Sequence, residues 1–434
     1  MPQTPFSSSA ELGIRLEDST ASSIFSYSPG DVVIGQIYRK ASTASPHATL
    51  TVSLHGRSVC ELRTKGFYTG KLNFFYPSRT SQTLFTDKPL HIQAREEAVW
   101  YFSITVPSFV DHSALLSNGF RQKHSYLSLA PADVAAQCLP SSFNFKAAPP
   151  GYALTAFIEY YIQAELKVHR GGSTKTHQAI LPLRVEQLSP EPPIINFNEK
   201  RRSFFQRVSS PRLVPGMEST ELSLSQKLQK LVGSSKVPKF AFRVHVEVPT
   251  TMQLGNENQI PLRIGIEPLW ESTSDNIRGM LQRIKLESFT VRIRFDVRVK
   301  FRPEEPFTFP IDIDATSPDL ELLSPNSIQA LTTDIYIPCS ETSTTASTGE
   351  RVPSQLLDIG ELLNFNLGRK NLDRIKTGSG VQLDPCFSTY NIQHSNNELS
   401  WELRGGVAGE GFKVSGMHRI KILPASTPFT EPAG

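Results

Sequence analysis

Cysteine is scarce in this 434-residue chain, with four residues at Cys60, Cys138, Cys339 and Cys386. They are far apart and form no Cys-x-x-Cys pair. Their spacing offers neither a zinc site nor a disulfide framework, and free thiols in a reducing compartment are expected. The ten histidines are scattered, without the helical spacing that sets two imidazoles over one metal ion. No Gly-x-Ser-x-Gly turn presents a nucleophilic serine. The glycine-rich stretch Gly405–Gly411 follows a strand pattern with no helix after it, so it reads as a hairpin loop rather than a phosphate cradle. No catalytic residue, cofactor or metal ligand is assigned, and the chain is expected not to be an enzyme. The formal net charge of +4 is too small to draw nucleic acid by a global field, so no nucleic-acid partner is expected and any basic surface has to be local. No run approaches the roughly 20 apolar residues of a membrane span. Met1–Ala10 lacks the basic flank and apolar run of a secretory leader. A cytosolic protein is expected, free to dock on a membrane surface.

What the chain has in abundance is a period of two. From Ala156 to Val168, Ala156, Ile158, Tyr160, Ile162, Ala164, Leu166 and Val168 alternate with mostly polar residues. A strand sends successive side chains to opposite faces, which predicts one apolar and one largely wetted face on a ribbon roughly 40 Å long. A second ribbon sets Val291, Ile293, Phe295, Val297, Val299 and Phe301 against Arg292, Arg294, Asp296, Arg298 and Lys300. Shorter alternating runs at 12–16, 32–38, 50–54, 100–106, 240–248, 260–266, 399–403 and 417–423 are punctuated by Pro, Gly and Ser. The expected fold class is all-β, with two tandem immunoglobulin-like β-sandwich domains. The boundaries expected are 10–188 for the first sandwich and 239–424 for the second. Residues 189–238 read as a basic, Pro/Ser-rich and partly disordered insert, and 425–434 as a short tail. Within the insert, Leu222, Leu224, Leu228 and Leu231 predict one short amphipathic helix ending at Gly233. Asn276–Leu286 reads as a helical turn or an irregular strand, and Ser340–Gly349 as a polar loop.

Several segments, in order, resemble the arrestin family, especially fungal alpha-arrestin-like proteins. In the first half these are Tyr27-Ser28-Pro29-Gly30-Asp31, Thr51-Val52-Ser53-Leu54-His55-Gly56, and Leu139-Pro140-Ser141-Ser142-Phe143 ahead of Ile158–Ala164. In the second half they are Asn258–Ile264 and Ser388-Thr389-Tyr390-Asn391-Ile392, followed by Leu399–Leu403. The resemblance implies arrestin-type N-terminal and C-terminal sandwich domains. It also implies an adaptor that binds cytoplasmic tails of membrane proteins, transporters or receptors, and recruits a HECT-type ubiquitin ligase whose WW domains take Pro-Pro-x-Tyr motifs. Ubiquitin-dependent endocytosis would follow. The family places those motifs mainly after its second domain, where this chain has Thr427-Pro428-Phe429-Thr430 instead. The alternative is a β-sandwich scaffold or coat subunit in vesicle sorting that recruits no ligase.

Four candidate sites stand beside plainer readings. Pro149-Pro150-Gly151-Tyr152 is a literal Pro-Pro-x-Tyr, which WW domains bind in a preformed polyproline conformation; it would otherwise pack Tyr152 at a strand entry. Lys200, Arg201 and Arg202, with Phe204, Phe205 and Arg207, form a basic-aromatic cluster suited to anionic lipid or phosphate, or else a solvated linker. Arg292, Arg294, Arg298 and Lys300 form a cationic face that would bind phosphate groups or simply solvate the sheet. Ser203, Ser209, Ser210, Ser219 and the Ser340–Thr348 tract could accept phosphate that masks neighbouring cations.

Overall fold

The structure is a computed structural model and describes residues 12–17, 26–117, 119, 121–217, 220–221, 223–231, 237–301, 311–317, 319–331, 333–340, 342–344, 351–372 and 383–427. Strands dominate, and the longest described helix has eight residues. The fold is all-β, with two compact sandwich units. No helix of the described residues is long and apolar enough to cross a membrane.

The first unit comprises Met1–Leu188 with Asp296–Ser317 and Phe387–Ser395. Its smaller sheet orders Gly13–Leu16, Val32–Arg39 and Ala98–Thr105, all antiparallel. Its larger sheet centres on the 21-residue strand Thr43–Arg63 and the 18-residue strand Ala153–Arg170, paired from His47↔His169 to Arg63↔Ala153. Leu50, Val52, Leu54, Tyr160, Ile162, Ala164 and Leu166 are fully buried against Val33, Ile37, Phe102 and Ile104 of the same core. The long strand's second parity is not wetted throughout, contrary to expectation. Phe157, Glu159 and Tyr161 are 5 %, 1 % and 7 % exposed. Alternation reports polarity, and a polar residue can still be shielded when its partners arrive from other strands.

Two late segments belong to this first unit. Asp296–Phe301 pairs with Ile311–Thr316. Asn391 accepts from Lys300 N through its carbonyl at 2.9 Å and from Ser58 Oγ through its side chain at 2.5 Å. Phe387 packs edge-on to Phe143 at 4.9 Å. The unit boundary therefore falls inside the strand Ile284–Phe301, between Phe295 and Asp296. At about 3.3 Å per residue that strand is roughly 60 Å long, more than one small sandwich requires.

The second unit comprises Ser189–Phe295, Pro318–Cys386 and Asn396–Gly434. One sheet orders Glu199–Ser209, Lys239–Pro249, Arg263–Pro268 and Leu357–Asp358. The other carries Thr251–Gln253, Glu410–Leu423, the strand Ile392–Val407 from Asn397 on, and Ile284–Phe301 as far as Phe295. Phe240, Phe242, Val244, Val246, Phe289, Val291, Leu399 and Leu403 fill its core at 0 % exposure. The glycine-rich stretch is a tight hairpin: Val407 pairs with Glu410 across Ala408–Gly409, both at positive φ, as a two-residue type I′ connection requires.

The expected insert needs correction. Residues 199–209 are an eleven-residue strand in full register with Lys239–Pro249, from Glu199↔Pro249 to Ser209↔Lys239. The charges at 200–202 hid its alternation, because an edge strand tolerates cations on both faces. The expected helix is present as Leu224–Leu231; Leu222 and Gly233 lie outside the described residues. Asp275–Ile277 is one 3₁₀ turn and Ile284 already opens the long strand. In the polar tract, 342–344 pairs with 351–353, while 341 and 345–350 lie outside the described residues.

Candidate functional site

Pro149–Tyr152 connects Phe143–Ala147 to Ala153–Arg170. Tyr152 N donates to Pro149 O at 3.3 Å, and Gly151 sits at φ +101°. This is a turn with Pro at its second position and Gly at its third, the type II pattern. Tyr152 Oη donates to the carbonyl of Asp314 at 3.2 Å. The segment is folded back on itself and its tyrosine is held, whereas a WW groove takes an extended polyproline ligand.

The basic-aromatic run is divided by its own strand. Arg201, Ser203, Phe205 and Arg207 take one face, and Lys200, Arg202 and Phe204 the other. Phe204 packs edge-on to Trp401 at 5.4 Å. Lys200 and Arg202 are on the same face as Phe204, Lys200 exposed and Arg202 exposed, and neither makes an ion pair among the described residues. They lie near enough to His418 to lower its pKa, behind the larger effect of burial. Arg207 stacks over the half-exposed Phe205 ring at 5.5 Å. The run is therefore no single cationic patch.

The cationic ribbon is matched across strands. Arg298 binds Asp314 through two nitrogens at 2.5 and 3.0 Å, and Lys300 lies 3.8 Å from Asp312. In the second unit Arg294 binds Asp319 at 2.9 Å and Arg292 approaches Glu321 at 3.7 Å. Each cation meets an acid of the adjacent strand, so the phosphate-binding face read from one strand alone is largely neutralised.

Both units carry shielded polar arrays that single-strand patterns do not announce. In the first, Arg57 Nε donates to Glu159 Oε1 at 2.8 Å and a second guanidinium nitrogen lies 2.6 Å away. Arg57 also lies over the Tyr161 ring at 5.3 Å, and His55 stacks on that same ring at 4.7 Å. Burial, then the positive charges of Arg57 and Lys71, push the His55 pKa down to about 4. In the second unit, Arg201 pairs with Glu247 through Nε at 2.7 Å. Arg263 reaches Glu199 at 2.6 Å and Asp358 at 3.0 Å. Arg243 holds Glu267 at 2.8 Å.

Ser203 Oγ, His245 and Glu267 form a hydrogen-bonded chain with both separations 3.0 Å. The residue types match a nucleophile, base and orienting acid. The setting differs: Ser203 stands on the strand Glu199–Ser209 rather than on a turn that aims backbone N–H groups at a developing oxyanion. Glu267 is already committed to Arg243. Burial lowers the His245 pKa and Glu267 opposes it, so the neutral imidazole serves as a bridge between strands. Of the other serines, Ser210 is fully buried and caps the turn at Pro211 by accepting from Arg212 N, and Ser219 lies outside the described residues.

Among the described residues, no group of three or more His, Cys, Asp or Glu side chains is placed to hold a metal ion. All four cysteines are free thiols, with Cys60 buried and its pKa raised by that burial. A shallow depression of about 330 Å³ on the second unit is lined by Thr290, Arg292, Ser400, Trp401, Glu402, Ser415, Gly416 and Met417. No protein-family model matches the chain, and no curated protein matches it.

Proposed function

We propose that the chain is an arrestin-like adaptor that binds cytoplasmic tails of membrane proteins and promotes their ubiquitin-dependent endocytosis and trafficking. The observation that supports it most is two all-β sandwich units on one chain, combined with the ordered segments that resemble the family. The free surface best suited to an acidic tail is the Glu199–Ser209 strand at the end of its sheet order, where Lys200 and Arg202 are open to solvent. Strand addition supplies main-chain hydrogen bonds there, and cations select acidic partners. The test is a pulldown of membrane-protein cytoplasmic tails by the full chain, wild type against Lys200→Ala/Arg202→Ala. Loss of capture in the variant is expected; equal capture overturns this docking strand.

One observation favours the reading without a ligase: the folded Pro149–Tyr152 turn and its bond to Asp314. A scaffold or coat subunit in vesicle sorting would need no WW contact at this turn. Isolated WW domains of HECT-type ligases discriminate the two. Capture of the wild type but not of Tyr152→Ala supports ligase recruitment, and no capture of either supports the scaffold.

A further inference from the structure

The helix Leu224–Leu231 carries its own N-terminal cap. Ser223 N donates to Gln226 Oε1 at 2.9 Å and Gln226 N donates back to Ser223 Oγ at 3.3 Å, a reciprocal capping box. Eight residues make a marginal helix in water, so this cap is what fixes its first turn. The helix then leaves apolar surface open: Leu224 is 80 % exposed and Leu228, one turn on, is 61 % exposed. Leu231 continues the same i, i+4, i+7 spacing in sequence.

Cations outnumber acids around it, with Glu218 and Glu221 on the approach to the helix and only lysines beyond. From Ser223 to Lys239 the sequence holds Lys227, Lys230, Lys236 and Lys239 and no acidic residue. Leucines at helical spacing among lysines suit the boundary between acyl chains and anionic headgroups, where apolar burial and cation attraction act together. A groove on a protein partner would satisfy the leucines but give no reason for the excess of lysines over acids in this stretch.

We propose that Leu224–Leu231 is an interfacial membrane anchor that lays Leu224 and Leu228 into an anionic lipid leaflet. The inference deepens the adaptor reading by naming the element that meets the membrane. An eight-residue helix is about 12 Å long, so the attachment is weak and reversible, which suits a protein that visits membranes.

The test is co-sedimentation of the full chain with phosphatidylcholine vesicles, with and without phosphatidylserine. Wild type should pellet with the anionic vesicles and be released by salt. Leu224→Asp/Leu228→Asp should bind at least about tenfold more weakly, since both apolar side chains lose their transfer energy. Its denaturation midpoint should not change, because these side chains are exposed in the folded chain. Lys227→Ala/Lys230→Ala should weaken binding several-fold and reduce its salt dependence. Equal pelleting of wild type and the leucine variant overturns the proposal. So does a wild type that ignores anionic vesicles, or a leucine variant whose only change is lost self-association in sedimentation velocity. Tail capture with the same leucine variant separates the two readings: retained capture with lost vesicle binding leaves the adaptor standing, and lost anchoring alone does not decide it.

Discussion

The two shielded polar arrays solve the same problem differently. In the first unit the charge centres on Arg57–Glu159, with Tyr161 and His55 packed beside it. In the second, Arg201 and Arg263 meet Glu247, Glu199 and Asp358 across four strands, and Arg243 separately holds Glu267. Losing a deeply buried carboxylate strands the cation it held, whereas a wider network can redistribute its bonds. The difference also governs the imidazoles. His245 has Glu267 to oppose the effect of burial, and His55 faces only the cations Arg57 and Lys71, with Ser53 Oγ 2.9 Å from its ring.

The largest expected effect breaks the Arg57–Glu159 pair. Glu159→Gln should destabilise the first unit by about 3 kcal/mol, read as a lowered midpoint in chemical denaturation. Next comes acid. The folded pKa of His55, about 4, lies below the unfolded value near 6.5, so the unfolded chain binds the extra proton first. The His55 contribution should lower stability as pH drops from about 6.5 to about 4, by up to roughly 3 kcal/mol, and add nothing further below. His55→Gln should flatten that part of the pH profile, and an unchanged slope would refute the assignment. Glu247→Gln should cost less, about 1–2 kcal/mol, because its carboxylate is less deeply buried than that of Glu159 and Arg263 keeps Glu199 and Asp358, although Arg201 loses its carboxylate partner. A cost equal to that of Glu159→Gln would erase the comparison. The smallest effect belongs to the open ladder. Arg298→Ala should shift stability by less than about 1 kcal/mol, since both it and Asp314 are largely solvated.

Much of the architecture was legible because half-buried strands write a period of two. Ile284–Phe301 keeps its inward parity buried from Val291 to Phe301, and the leucine spacing announced the helix at 224–231. The strand Glu199–Ser209 was hidden because its cations take both parities. The ladder opposite Arg292–Lys300 was invisible because the acids come from a later stretch, and only pairing brings Asp312, Asp314, Asp319 and Glu321 alongside. The Ser203–His245–Glu267 chain unites three strands, and no spacing in one segment encodes it. The turn at Pro149–Tyr152 was ambiguous for a different reason: the same four residues satisfy a ligand motif and a type II turn.

The all-β class and the apolar faces of most strands are written locally, since side-chain direction along an extended chain depends only on neighbouring residues. Which polar side chains are shielded, which charges are matched, that Glu199–Ser209 is a strand, and that Asp296–Ser317 and Phe387–Ser395 join the first unit emerge only on folding. Those outcomes depend on register between strands far apart in the chain, and register is fixed by pairing and packing rather than by any one segment.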